Sequence, residues 1–418
     1  MDKRLRKLGA VAAVLLLTAG MFWLRWSGSA RQAPPDTFWY TRQAVLFSGG
    51  TAAQATAAGS AVVCRARNRE AVAAGRPPAC HHYPSTYPRM PDPRYVQIFT
   101  TRPGFPLIAA PLIGAFGAWT GMALATLAAA LLLALLAYAA VRELGGSAAG
   151  GLVAVGLLFL LPTGYWITRM LPEGALLAGY LATGLGVLRL CRGKPRSGLT
   201  LAATGLAWTF LAKPANGFML AVVLLAAPAL AIAWRGVRAS RRRPRPADGR
   251  SLPWLALVLP AAVGFAGTLG WLVVSHVAHL PSFTSTIEDI ATSHFRRRLV
   301  RDPIGWLIRK DASFWPSWLL GLARHPWPLV LVAVATAVLV WRCRAFALPW
   351  LLAGLTGPLI LAAHPMGSEA DRLMLPAWLP VVIGLAVIPL PRIQRSRLPW
   401  TRVTASPDSA REHVPSAR

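Results

Sequence analysis

The chain has 418 residues, of which 55% are hydrophobic and only 14% charged, with a mean hydropathy of +0.47. Charged residues alone make up about a quarter of an ordinary soluble domain, so this balance excludes a soluble protein and predicts a polytopic membrane protein. The formal charge of +29 does not point to nucleic acid, because the basic residues sit in short segments between apolar runs, the positive-inside pattern of membrane proteins.

In chain order, MDKRLRK precedes an apolar run over 8–26, long enough to cross a hydrocarbon core of about 30 Å. The run is long and ends in the aromatics Phe22, Trp23 and Trp26 with no convincing small-x-small cleavage site after it, so it reads as an uncleaved helix rather than a signal peptide. Its basic start places the N-terminus in the cytoplasm. The polar interval 27–118 then lies outside, as a cap of juxtamembrane helices. Further apolar segments follow at 105–117, 119–141, 149–166, 173–190, 198–212, 215–234, 252–277, 327–341, 346–363 and 373–390. The first of these is short and carries Pro111, so it reads as re-entrant or interfacial. If it crossed, the seven arginines between Trp234 and Leu252 would face outward, against the strongest topological rule available. The predicted fold is therefore an all-α polytopic membrane protein of about ten transmembrane helices with both termini inside. It comprises a first helix over 1–26, an outer cap over 27–118, a bundle over 119–391 with an outer loop at 278–326, and a disordered basic tail over 392–418.

In this topology ten of the 15 acidic residues and seven of the eight histidines lie outside or at the outer boundary, and the spans are nearly free of charge. An ion-coupled transporter would carry ionisable groups near the bilayer midplane, so the site is expected at the outer face. Cys64 and Cys80 fall on that side, where oxidation is permitted; a disulfide between them is the preferred reading and a metal site with His81 and His82 the alternative. Glu173 opens an apolar segment, where the helix dipole alone favours an acid, and is also a candidate substrate-binding residue. Asp36 in PPDTFWY reads as a helix N-cap as well as a candidate functional acid. Glu288 and Asp289 form a candidate carboxylate pair for sugar hydroxyls or a metal, in a loop whose Trp306, Trp315 and Trp318 suit an interfacial helix. No phosphate-binding glycine loop, nucleophile elbow, HExxH or paired CxxC is present, and the short cytoplasmic loops leave no room for a nucleotide-binding domain.

An N-terminal helix, an outer loop opening on Asp36, Phe38, Trp39 and Tyr40, and then TTRPGFPLIAAPLIGAFG resembles the start of the GT-C type membrane glycosyltransferases. That family includes protein O-mannosyltransferases and the aminoarabinose and arabinosyl transferases. The segments LPEGALLAGYLATGLGVL from Leu171, FLAKPANGFMLA from Phe210 and HPMGSEADRLMLPAWLPVVIGLA from His364 extend the similarity in order along most of the chain. The resemblance implies transfer of a sugar from a polyprenyl-phosphate donor to an extracytoplasmic acceptor, whether glycan, lipid or protein, in a bacterial cytoplasmic membrane. It places Asp36 as general base, and Arg372, with Lys213 as a second candidate, on the leaving phosphate. The family motif often holds two acids, whereas Thr37 follows Asp36 here, a departure that weakens a metal or second-carboxylate role; a divalent metal is the one cofactor left open. A transporter or lipid flippase, and a catalytically silent scaffold of the same fold, are the alternative readings.

Overall fold

A computed structural model describes residues 3–29, 32–83, 92–240, 255–281 and 283–388; the tail 392–418 and most of the arginine-rich loop lie outside the described residues. All regular structure among them is helical, as expected where backbone polar groups have no water to bond. The chain begins with α1 (Lys3–Ser27), followed by α2 (Thr37–Phe47), α3 (Ala52–Ala73), α4 (Pro93–Thr100) and α5 (Gly104–Phe116). Next come α6 (Ala118–Glu143), α7 (Ala148–Leu160), α8 (Pro162–Ile167), α9 (Glu173–Cys191), α10 (Pro195–Ala212), α11 (Pro214–Ser240) and α12 (Leu255–Val277). The remainder is α13 (Phe283–Ala291), α14 (Pro303–Arg324), α15 (Trp327–Cys343), α16 (Leu348–Ala363), α17 (Ala370–Leu373) and α18 (Leu379–Ala386).

Five segments are long and apolar enough to cross a membrane: Arg4–Ser27, Ala118–Glu143, Glu173–Cys191, Val258–Val277 and Trp327–Ala363. The last holds two helices, because the chain turns at 344–347, where Arg344 adopts a φ of +52°. The helix α5 spans only 13 residues before Gly117, whose φ of +77° lets the chain turn into α6. Pro162 splits the apolar run 149–166 into α7 and α8, and Thr163 Oγ1 donates to the Leu158 carbonyl in place of the missing backbone bond.

The innermost helix is α9, nearly all of which is buried. It lies against α10 at small residues: a Cβ on Gly186 would sit 2.4 Å from Ala202 N, and one on Gly205 2.6 Å from Thr183 N. Only glycine allows this approach, the device by which helices associate in lipid without a hydrophobic driving force.

Two polar ends close the bundle. At one, Lys194 donates to Glu143 at 2.7 Å, Arg189 and Arg192 flank the same carboxylate, and Arg192 lies over the Phe346 ring. The α6 C-terminus, the α9–α10 turn and the α15–α16 turn therefore share this end, with the free buried thiols Cys191 and Cys343. At the other, α2 packs on α3, α4 and α5 beneath an aromatic cluster, in which Trp39 stacks on Phe99 with centroids 5.6 Å apart and Tyr40 meets Phe105 edge-on. Cys64 and Cys80 are disulfide-bonded there, which excludes the alternative of a metal site at these sulfurs. Asn68 reinforces the link by hydrogen bonds to both backbone groups of Cys80. The loop 278–326 contains α13 and α14; α14 carries Trp306, Trp315 and Trp318, starts at an Asp302 cap and buries none of its residues.

Candidate functional site

Two backbone links bring the start of α2 to the start of α9. Thr37 Oγ1 donates to the Met170 carbonyl at 3.0 Å, and Met170 N donates to the Gln32 carbonyl at 3.0 Å. Asp36 thus lies beside Glu173. Asp36 makes no side-chain cap hydrogen bond to α2, so the N-cap reading does not describe its carboxylate. The group turns instead to Arg372.

Arg372 sits on α17, between α16 and α18. Its Nη1 donates to Asp36 Oδ2 at 2.6 Å and its Nε donates to Glu173 Oε1, while Glu369 Oε2 lies 3.7 Å from Nη1. Lys213, at the break between α10 and α11, donates to the same Glu173 oxygen at 2.6 Å. Glu173 is fully buried and Arg372 is 7% exposed, so these charges compensate one another in a poorly hydrated place, where an unpaired charge would be costly. The Asp36 side chain keeps 24% of its surface exposed and is the open edge of the network. Among the described residues, Arg372 Nη2 and Glu173 Oε2 are buried and make no hydrogen bond, leaving one donor and one acceptor unused.

Electrostatics follow from this packing. Burial alone would raise the Asp36 carboxyl, but the charge and hydrogen bond of Arg372, aided by Arg102, outweigh it and hold the group below its ordinary range. Burial and the repulsion of Arg372 push Lys213 down to about 8 despite its bond to Glu173. His364 is pushed down to about 3 by burial and by Arg102, Lys213 and Arg372, and is therefore neutral at physiological pH. Arg102 donates to the Tyr40 hydroxyl at 3.4 Å. Burial raises the Tyr40 phenol, which stays protonated.

The structure thus brings Asp36, Glu173, Lys213 and Arg372 into one network. It separates Glu288 from Asp289: Arg94 lies 3.9 Å from Glu288, whereas Asp289 Oδ1 is 3.1 Å from His294 Nδ1. Sequence reasoning missed Tyr40, Arg102, His294 and His364 as neighbours of the site. Arg102 stands just before the apolar run 105–117 and His364 just after the run 346–363, which is the one local signal they carry. Asp36 and Glu173 are each already held by side-chain cations, Arg372 for both and Lys213 for Glu173.

No family model matches the chain, and no curated protein or solved structure is significantly similar to it.

Proposed function

We propose that the chain is a membrane glycosyltransferase of GT-C type, moving a sugar from a polyprenyl-phosphate donor to a hydroxyl on an extracytoplasmic acceptor. The observation that carries this reading is the Asp36–Arg372 contact, which sets a partly exposed carboxylate against a buried guanidinium with an unused donor. In the reaction the acceptor O–H gives its proton to Asp36, the oxygen forms a bond to the anomeric carbon, and the bond from that carbon to the phosphate oxygen breaks with inversion. The donor phosphodiester carries one negative charge and the departing monoester up to two. Arg372 and Lys213 are suited to stabilise the charge that develops. A phosphate arriving at Arg372 also competes for the guanidinium that holds Asp36, and so raises the basicity of the carboxylate when it is needed.

We place the site end outside a bacterial cytoplasmic membrane, with ten crossings made by α1, α6, α7, α9 to α12, α15, α16 and α18, and with α2 to α5 as the outer cap. Support comes from the disulfide at the site end and from the arginines and lysine gathered at the opposite end. Transfer from a set of radiolabelled polyprenyl-phosphate sugars, in membranes holding the wild-type chain or the Asp36→Asn variant, tests the reading. Transfer that falls about a hundredfold or more in the variant supports it; no transfer from any donor by the folded wild type rejects it.

A further inference from the structure

The break between α7 and α8 creates a second polar place at the site end. Pro162 has no N–H to continue the helical ladder, which leaves the Phe159 and Leu160 carbonyls in need of donors. Arg25, in the last turn of α1, supplies them: its Nε donates to the Phe159 carbonyl at 3.0 Å and its Nη2 to the Leu160 carbonyl at 3.3 Å. Its Nη1 makes no hydrogen bond among the described residues.

Arg25 lines a cavity of about 550 Å³ between α1, α3 and α8 with the turn that follows it. Arg169, only 5% exposed, lines it too, and its guanidinium stacks on the Tyr165 ring at 3.4 Å. Tyr165 and Ser29 also line the cavity, and neither hydroxyl makes a hydrogen bond among the described residues. Two guanidiniums and the single carboxylate of Glu70 give the walls one net positive charge. Leu24 completes the lining; it is 67% exposed and Leu160 beside it 66%, so the wall runs on into apolar surface at the end of α1.

Uncommitted donors, a net positive charge and an apolar margin together suit an amphiphilic anion. We propose that this cavity binds the phosphate headgroup of an anionic phospholipid of the bilayer. Arg25 Nη1, Arg169 and the Tyr165 and Ser29 hydroxyls donate to the phosphate oxygens, and the acyl chains lie along Leu24 and Leu160. A phosphodiester carries one negative charge, which balances the walls, and charge-assisted hydrogen bonds are strong where water is sparse. The volume is in the ordinary range for a small-molecule site. An arginine that merely snorkels keeps its head in water. Here Arg25 is pinned to two carbonyls and Arg169 is buried against an aromatic ring, so the donors are held in place before a lipid arrives. The cavity adjoins the Asp36 network without sharing a side chain with it: the Trp166 ring lies 5.3 Å from the Arg169 guanidinium and 5.7 Å from that of Arg372. The proposal goes beyond the glycosyl-transfer reading and does not depend on it.

The test is lipid binding to the full chain in detergent, read by native mass spectrometry with phosphatidylglycerol, phosphatidylcholine and inorganic phosphate as probes. Phosphatidylglycerol is expected to bind at least about tenfold more tightly than zwitterionic phosphatidylcholine, and excess inorganic phosphate is expected not to displace it. Arg25→Gln should weaken phosphatidylglycerol about tenfold or more. Tyr165→Phe, which keeps the ring beneath Arg169 and leaves the α7 carbonyls capped, should weaken it about threefold. Arg65→Gln, at an exposed arginine of α3 outside the cavity, should leave the affinity unchanged. Equal binding of the two lipids, or wild-type affinity in both cavity variants, overturns the proposal. Displacement by inorganic phosphate overturns the lipid as the ligand and makes the cavity a site for free anions. No outcome of this measurement bears on sugar transfer, so the two readings fail separately.

Discussion

Arg372 Nη1 lies 2.6 Å from Asp36 Oδ2, across 336 positions of sequence, and the same guanidinium bonds Glu173 through its Nε. One side chain thus ties the beginning, middle and end of the chain together. Arg372→Gln leaves two carboxylates at one place, with Lys213 still bonded to Glu173 but only the charge of Arg102 acting on Asp36. We expect a loss of about 3–5 kcal/mol, the usual cost of breaking a buried ionic network by removing one partner. Arg372→Lys recovers only part of it, because a single ammonium cannot serve two carboxylates with the planar fork of arginine. Thermal unfolding of the three proteins in detergent checks the order.

Lys213 offers a pH prediction. With its pKa lowered to about 8 from an ordinary 10.5, the folded chain binds fewer protons than the unfolded chain between those two values. The contribution of this group to stability therefore rises with pH over that window, and below about 8 its burial is a cost. The chain has only five lysines, so their acylation rates are separable by mass spectrometry. Lys213 should reach half-maximal reactivity near pH 8; a midpoint near 10.5 would contradict the packing described.

Asp36 has the opposite sign. Its carboxyl is held below the ordinary 3.8, so it adds stability above that value, and the contribution disappears as pH falls through the folded pKa. Asp36→Asn should lower stability at neutral pH and flatten the acid limb, so that the two proteins converge as pH falls through the folded pKa. Acid titrations of thermal midpoint for both proteins measure this.

The Cys64–Cys80 bond closes a separation of 16 residues. Replacing both by serine should destabilise the α3 region by about 3 kcal/mol through the freedom returned to the unfolded chain. Limited proteolysis under oxidising and reducing conditions reads the effect: faster cleavage on reduction in the wild type, and no redox dependence in the variant.

At the α9–α10 contact, Gly205→Val forces a side chain to within 2.6 Å of the Thr183 backbone nitrogen. The helices must separate, at a cost of about 1–3 kcal/mol or more. Denaturant-induced unfolding compares it with Gly270→Val, where nothing stands within 4 Å of a Cβ and little change is expected.

Much of the helical layout is legible in the sequence, because an apolar run long enough to cross lipid has few alternatives to a helix. The runs at 327–341 and 346–363 coincide with α15 and α16, and the break between them falls at the basic pair Arg342 and Arg344. Partnership within the site is not legible. Asp36, Glu173, Lys213 and Arg372 each stand at a helix boundary, but so do many other charges, and nothing local says which of them meet. The preference of aspartate for helix starts suggested a cap at Asp36, and a stronger counter-charge at Arg372 takes that side chain away. Adjacent acids at 288 and 289 looked like a pair, yet successive residues on a helix point about 100° apart, and the two find separate partners in Arg94 and His294. The partner of Asp289 sits in a turn where Ser293, His294 and Phe295 all hold positive φ, a conformation that these residue types do not announce.

The chain order of the ionic network has a consequence for biogenesis. Synthesis delivers Asp36 and Glu173 first, Lys213 next, and Arg372 last of the four. Until α17 arrives, Asp36 lacks the arginine that holds it, and Glu173 has one of its two cations. Chains that stop before residue 372 leave the Asp36 and Glu173 carboxylates without their shared guanidinium in an apolar setting, which invites local opening and degradation. The ionic network is therefore complete only once α17 has been made and packed against α2 and α9.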